Sequence, residues 1–234
     1  KGMEWVRPIR SINTAHSVRQ NMPNQNSRFS YAISDFPLTD YGSGLIANQA
    51  VQFLEDSRDQ AFALWVSFPD PHTPYEAPRK CVEMCPPNEV VLPPSTSNEF
   101  DERSPERNRV LNQMLGIHED PDDEVKGMLA VYYAMVKFID DSVGKILDTL
   151  ERLGLRKNTI VVFTSDHGDF AGEHRMTNKG GVFYDCLTRV PLILSWTGKI
   201  KGGIIDNSMV STIDIAPTIL SMQEIDIPLE MQGS

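Results

Sequence analysis

Three short stretches carry the side chains that could do chemistry. In "TIVVFTSDHGDFAGEH", an apolar run of strand-forming residues ends on Asp166, His167 and Gly168. A carboxylate oxygen and an imidazole nitrogen can share one divalent ion, and a glycine lets the backbone turn tightly beneath them. Asp166 as a turn cap and His167 as an ordinary loop histidine fit the spacing equally, because two ligands do not make a metal site. Lys179, in "TNKGGVFYD", could neutralise a sulfate or phosphate as a point charge, or could be a solvated surface lysine. His72, in "SFPDPHTPYEAP", is flanked by prolines that stiffen its loop, and a histidine so held could act as a general acid near neutral pH.

These residues need a scaffold, and the chain can supply one. At 234 residues, 40% hydrophobic and 23% charged, it has the bulk and composition of an ordinary globular domain. A net charge of -10 argues against nucleic acid, whose phosphates are held by clustered Lys and Arg. It leaves small anionic substrates open, since a local basic pocket can exist inside an acidic protein. No apolar run approaches the roughly 20 residues that span a bilayer. No signal peptide is visible, and an opening at Lys1 rather than Met leaves the natural start open. Cys81, Cys85 and Cys186 suggest no disulfide framework; Cys81 and Cys85 could pair or help hold a metal, but with no second Cys/His pair nearby they read more readily as two loop thiols.

Residues 1–39 read as polar loop with one short strand. "DYGSGLIANQAVQFLEDSR", from Asp40 to Arg58, places Leu45, Ile46, Gln49, Ala50, Phe53 and Leu54 on one face of an amphipathic helix. "AFALWVSF", 61–68, is continuously apolar, as expected of a strand covered on both faces. Residues 79–122, rich in Pro, Ser, Asn and charge, read as a long surface insertion or loop. From about Asp123 to Leu153 apolar residues recur at three- and four-residue steps, and Gly154 supplies the stop. The strands "TIVVFTS" and "VPLILSW" and a helix around "TIDIAPTILSM" complete the order. Apolar strands alternating with helices predict an α/β fold with a mainly parallel central sheet and helices on both faces. In such sheets ligands bind outside the carboxyl ends of the strands, where Asp70, His72, Asp166 and His167 fall.

Taken together, "SFPDPHTPYEAP", "YYAMVKFIDDSVGKILDTLERLGLRKNTIVVFTSDHGDFAGEH", "NKGGVFYDCLTRVPLIL" and "STIDIAPTIL" resemble the sulfatases of the alkaline phosphatase superfamily, in the family's order. The resemblance implies an alkaline phosphatase-like fold, incomplete here, and a metal-dependent sulfuric ester hydrolase. It assigns Asp166 and His167 to a divalent cation, usually calcium, and Lys179 and His72 to the sulfate and its leaving oxygen. Tyr184, Asp185 and Arg189 match a family segment and look structural. The family nucleophile lies in a Cys/Ser-x-Pro-x-Arg motif whose Cys or Ser becomes formylglycine, and "CVEMC", "CPPNE" and "CLTRV" all fail it. The family's first strand, with its paired aspartates, is also missing. The resemblance therefore makes 1–234 the central part of a sulfatase catalytic domain, inactive alone, with formylglycine supplied from outside it. The expected substrate is a small-molecule or carbohydrate sulfate ester, and a secreted or periplasmic location is compatible. A phosphonate or phosphate ester hydrolase of the same superfamily, and a non-catalytic sulfated-glycan-binding relative, remain as alternatives.

Overall fold

The computed structural model describes residues 31–35, 38, 41–95 and 99–233. The reading of 1–30 as loop lies outside the described residues. The short strand expected before residue 40 is β1, Tyr31–Ser34, which pairs in parallel with β2, Tyr75–Pro78, setting Tyr31 opposite Tyr75 and Ser34 opposite Pro78. Between them lies α1, Gly42–Asp56, whose Ala47, Ala50 and Leu54 are buried.

The dominant element is α4, Asp122–Arg152, within a residue of the helix the apolar repeat predicts. It starts where Asp122, Asp123 and Glu124 meet the positive end of the helix dipole. It stops at Gly154, whose φ of 71° is the left-handed conformation that closes helices. Its inner face packs on β1, β2 and α1 and buries Val125, Met128, Leu129, Val131, Ala134, Met135 and Phe138 with Tyr41, Tyr75 and Ala77. Burying each Val, Leu, Met and Phe among them contributes about 1.5–3 kcal/mol, so this seam carries much of the fold's stability.

The described residues of 79–122 form more regular structure than a surface loop. They hold α2, Arg79–Val82, a 3-10 turn at Pro87–Glu89 and α3, Glu106–Leu115. Cys81, Val82, Val90 and Ile117 reach into the main core, and Cys81 is a buried helical thiol rather than a loop one. Beyond α4 come β3, Val161–Thr164, then α5, Asp185–Thr188, β4, Leu192–Ser195, and α6, Ile215–Met222.

The class is the expected α/β, with two local departures. β3 and β4 pair antiparallel, Val161 opposite Ser195 and Thr164 opposite Leu192. The run 61–68 joins no ladder among the described residues, and Trp65 is 85% exposed. An apolar run specifies burial, but a strand also needs neighbours for its N–H and C=O groups, and no described segment offers them to 61–68. Among the described residues no helix is long and apolar enough to cross a membrane.

Candidate active site

The end of β3 delivers Ser165, Asp166 and His167 into a tightly folded loop that returns at Lys179. Its geometry starts at Gly168. The Gly168 amide donates to the Leu187 carbonyl at 2.8 Å, and a Cβ at 168 would lie 1.8 Å from the Cys186 carbonyl oxygen. Close backbone approach to α5, rather than the tight turn the sequence suggested, is what requires glycine there.

The loop then coils through Ala171, Gly172, His174, Arg175 and Asn178, all with positive φ. Such torsions are costly for side-chain-bearing residues and persist only when the surroundings over-determine them. Here Phe170 and Met176, fully buried, plug a second apolar cluster with Val182 and Leu187, against which Leu111 and Leu115 of α3 pack. Backbone bonds add to the hold: Phe170 N–H to Asn178 O at 2.9 Å, Thr177 N–H to Leu115 O at 3.1 Å and Ile117 N–H to Arg175 O at 2.8 Å. His174 meets Glu99, and Arg175 donates to Asp122 Oδ1 at 2.8 Å, so the 79–122 segment is the platform on which the loop stands.

At the loop's mouth Asp166 and His167 are exposed and face each other, with Oδ2 3.6 Å from Nε2. The His167 amide donates to Asp166 Oδ1 at 2.9 Å. His167 Nδ1 is 2.7 Å from the Gly168 carbonyl. A carbonyl can only accept, so Nδ1 donates and Nε2 is the ring nitrogen left to face a ligand. A metal-binding histidine is commonly oriented in this way by its other ring nitrogen. The pair therefore suits a divalent cation as part of a ligand set. Among the described residues no group of three or more His, Cys, Asp or Glu could hold a metal, so these two do not complete one.

His72 is exposed in the loop before β2 rather than at the end of a 61–68 strand. Its amide closes a turn onto Pro69 O at 3.0 Å, and Ser43, in the first turn of α1, donates to Asp70 beside it. His72 Nδ1 lies 2.6 Å from the Thr73 carbonyl, so here too Nε2 is the nitrogen left to act. The two loops meet in two places. Thr73 Oγ1 donates to Asn178 Oδ1 at 3.0 Å, setting the neighbour of His72 against the neighbour of Lys179. The hydroxyl of fully buried Tyr75 points at both Asp169 oxygens, at 3.3 and 3.4 Å, tying β2 to the residues after Asp166 and His167. Burial, then the Asp169 charge, push the Tyr75 phenol well above its ordinary range.

Sequence reasoning passed over Thr73, Tyr75, Asp169 and Asn178. Asn178 alone carried a signal, since asparagine is enriched at positive φ. Tyr184 packs on Phe170 with ring centroids 5.5 Å apart, and accepts a hydrogen bond from Asn108 at 3.0 Å, a structural role as expected. Cys186 is half-buried, and burial pushes its thiol up to about 11, which makes it a poor nucleophile at neutral pH.

The chain as a whole has relatives among known proteins. The chain is 32% identical over 198 residues to the ulvan-active sulfatase of Formosa agariphila, covering 82% of this chain and 35% of that protein. It is 31% identical over 195 residues to the arylsulfatase of Clostridium perfringens, covering 80% and 39%. It thus spans well under half the length of these curated relatives. Among solved structures, the phosphonate monoester hydrolase of Silicibacter pomeroyi superposes with a TM-score of 0.75 at 21% identity over 94% of this chain and 48% of that one, which speaks for the fold alone. The sulfatase family model matches residues 10–225, a span that takes in both loops and every element that holds them, and the chain belongs to that family.

Proposed function

We propose that these residues are the central part of the catalytic domain of a metal-dependent sulfuric ester hydrolase acting on a small-molecule or carbohydrate sulfate. The observation that supports it most is the Thr73–Asn178 hydrogen bond, which holds the His72 loop against the residues leading into Lys179 in a chain of the sulfatase family. In this reading the Lys179 ammonium offsets charge on the sulfate oxygens, as a donor aimed at an anion does most effectively away from bulk water. His72, protonated at Nε2 and oriented through Nδ1, gives its proton to the departing ester oxygen. Asp166 and His167 would hold a divalent cation, calcium by family resemblance, with ligands from outside the 234 residues. Such an ion, when bound, supplies positive charge that orients the sulfate and favours an anionic nucleophile. The nucleophile, formylglycine by family pattern, also comes from outside these residues.

The test is turnover of an aryl sulfate and a matched aryl phosphonate by the full-length protein, expressed with formylglycine-generating machinery. The sulfate should be preferred, and Lys179→Ala should lower kcat/KM by about 10²–10³-fold, the scale for removing one oxyanion donor. Preference for the phosphonate would transfer the proposal to the phosphonate hydrolase reading.

A further inference from the structure

His72 and Lys179 can serve one sulfate only if two separate loops keep them in register. One side-chain contact joins those loops beside both residues. The His72 ring donates through Nδ1 to the Thr73 carbonyl at 2.6 Å, and the Thr73 hydroxyl donates to Asn178 Oδ1 at 3.0 Å. Asn178 is peptide-bonded to Lys179, so two hydrogen bonds lead from the imidazole to the lysine's own backbone.

Asn178 is itself fixed. Its φ of 62° is one that asparagine tolerates and most residues do not, and its carbonyl accepts the Phe170 amide at 2.9 Å. Phe170 and the preceding Thr177 are both buried, so Asn178 stands on a rigid base. On the other side Pro74 restricts the backbone of Thr73, and Pro71, just before His72, has its own φ fixed. The Tyr75–Asp169 contact keeps the two loops from sliding along each other.

We infer that Asn178 and Thr73 form a positioning pair that sets the proton donor, His72, against the anion-holding Lys179. The inference rests on the sulfatase reading for those two roles. Neither member of the pair needs to touch substrate. A reacting group displaced by about 1 Å can cost up to 10²-fold, so a flexible junction here would be felt in turnover.

The experiment is a double-mutant cycle in the full-length, formylglycine-bearing protein. Thr73→Val removes the hydroxyl and keeps the shape, while Asn178→Gly removes the amide and keeps the positive φ. Each single variant should lose about ten-fold in kcat on a phenyl sulfate with a poor leaving group. The loss should be smaller on a nitrophenyl sulfate, which needs its leaving oxygen protonated less. Thr73→Ser, which keeps the hydroxyl, should retain activity. Affinity for inorganic sulfate, measured by calorimetry, should fall several-fold in each single variant and no further in the double. Additive losses, or losses independent of the leaving group that track only a lowered Tm, would overturn the inference. A wild-type protein that turns over no sulfate would instead defeat the sulfatase reading. The coupling would still be read in the cycle on sulfate affinity, which needs no turnover, and full additivity there would refute it.

Discussion

Gly168 and Cys186 make opposite points about one contact. The glycine is fixed by a neighbour, because a Cβ there would fall inside the Cys186 carbonyl, a backbone atom that cannot swing aside. Gly168→Ala should therefore push the Asp166–His167 turn off α5, losing the 2.8 Å bond to Leu187 O and about 1–3 kcal/mol, the range for overpacking. A urea titration would register it, and an unchanged midpoint would mean that the two backbones leave room for a Cβ there. Cys186 is fixed by its own burial, which raises its thiol to about 11 against an ordinary 9.0. Alkylation of Cys186 should be slow at pH 8 and accelerate towards pH 11, as followed by mass spectrometry. Rapid modification at pH 7 would show a thiol less buried than its contacts require.

At the scale of elements, α4 was legible because its length lets the 3.6-residue period declare itself, and its acidic first turn and Gly154 mark both ends. That face can be tested directly. Met135, 2% exposed, should cost about 2–5 kcal/mol as Met135→Ala. Val136, 44% exposed one residue along, should stay within about 0.5 kcal/mol as Val136→Ala. Equal losses in denaturant midpoint would mean that the assigned face is wrong. The short elements were less legible. α3 carries Val110, Leu111, Met114 and Leu115, too few apolar positions to stand out from a polar stretch, and only Leu111 and Leu115 pack on the Phe170 cluster. The run 61–68 was read as a strand from composition, yet strands exist through partners that composition does not name. At the site, the motif residues Asp166, His167, Lys179 and His72 showed in the sequence because their types are chemically loud. Thr73, Tyr75, Asp169 and Asn178 did not, since a positioning role depends on contacts between residues far apart in the chain, such as 73 with 178 and 75 with 169.

Across the whole molecule the buried phenols and thiols shift in one direction, and that sets how the protein meets alkali. Tyr132 is pushed up to about 12 by burial and then by the Asp169 charge, Cys186 is raised as above, and Tyr75 and Tyr41 are raised further, all chiefly by burial. Tyrosine ordinarily titrates at 10.0, so above that pH the unfolded chain releases protons that the folded one retains. Stability must then fall with pH, because the folded state is the one that binds more protons. The contribution is fully present well below pH 9, where neither state has ionised, and drains away as pH climbs through the ordinary values of 9.0 and 10.0 towards 11 and 12. Lys137, raised by its hydrogen bond to Asp141, acts in the same sense, though as an exposed group it adds little. The net charge of -10 works with them, since losing lysine protons and gaining phenolates deepens the self-repulsion of an already acidic chain. The unfolding midpoint in urea should accordingly hold steady from pH 7 to about pH 8, begin to fall near pH 9 and decline steeply by pH 11. Tyr132→Phe, which removes one titrating group and keeps the ring packed 5.7 Å from Tyr75, should make that decline shallower without lowering the unfolding free energy at pH 7 by more than about 1 kcal/mol. A midpoint that rises between pH 9 and 11, or a Tyr132→Phe profile parallel to wild type, would show that these hydroxyls are not buried in the way that sets their titration.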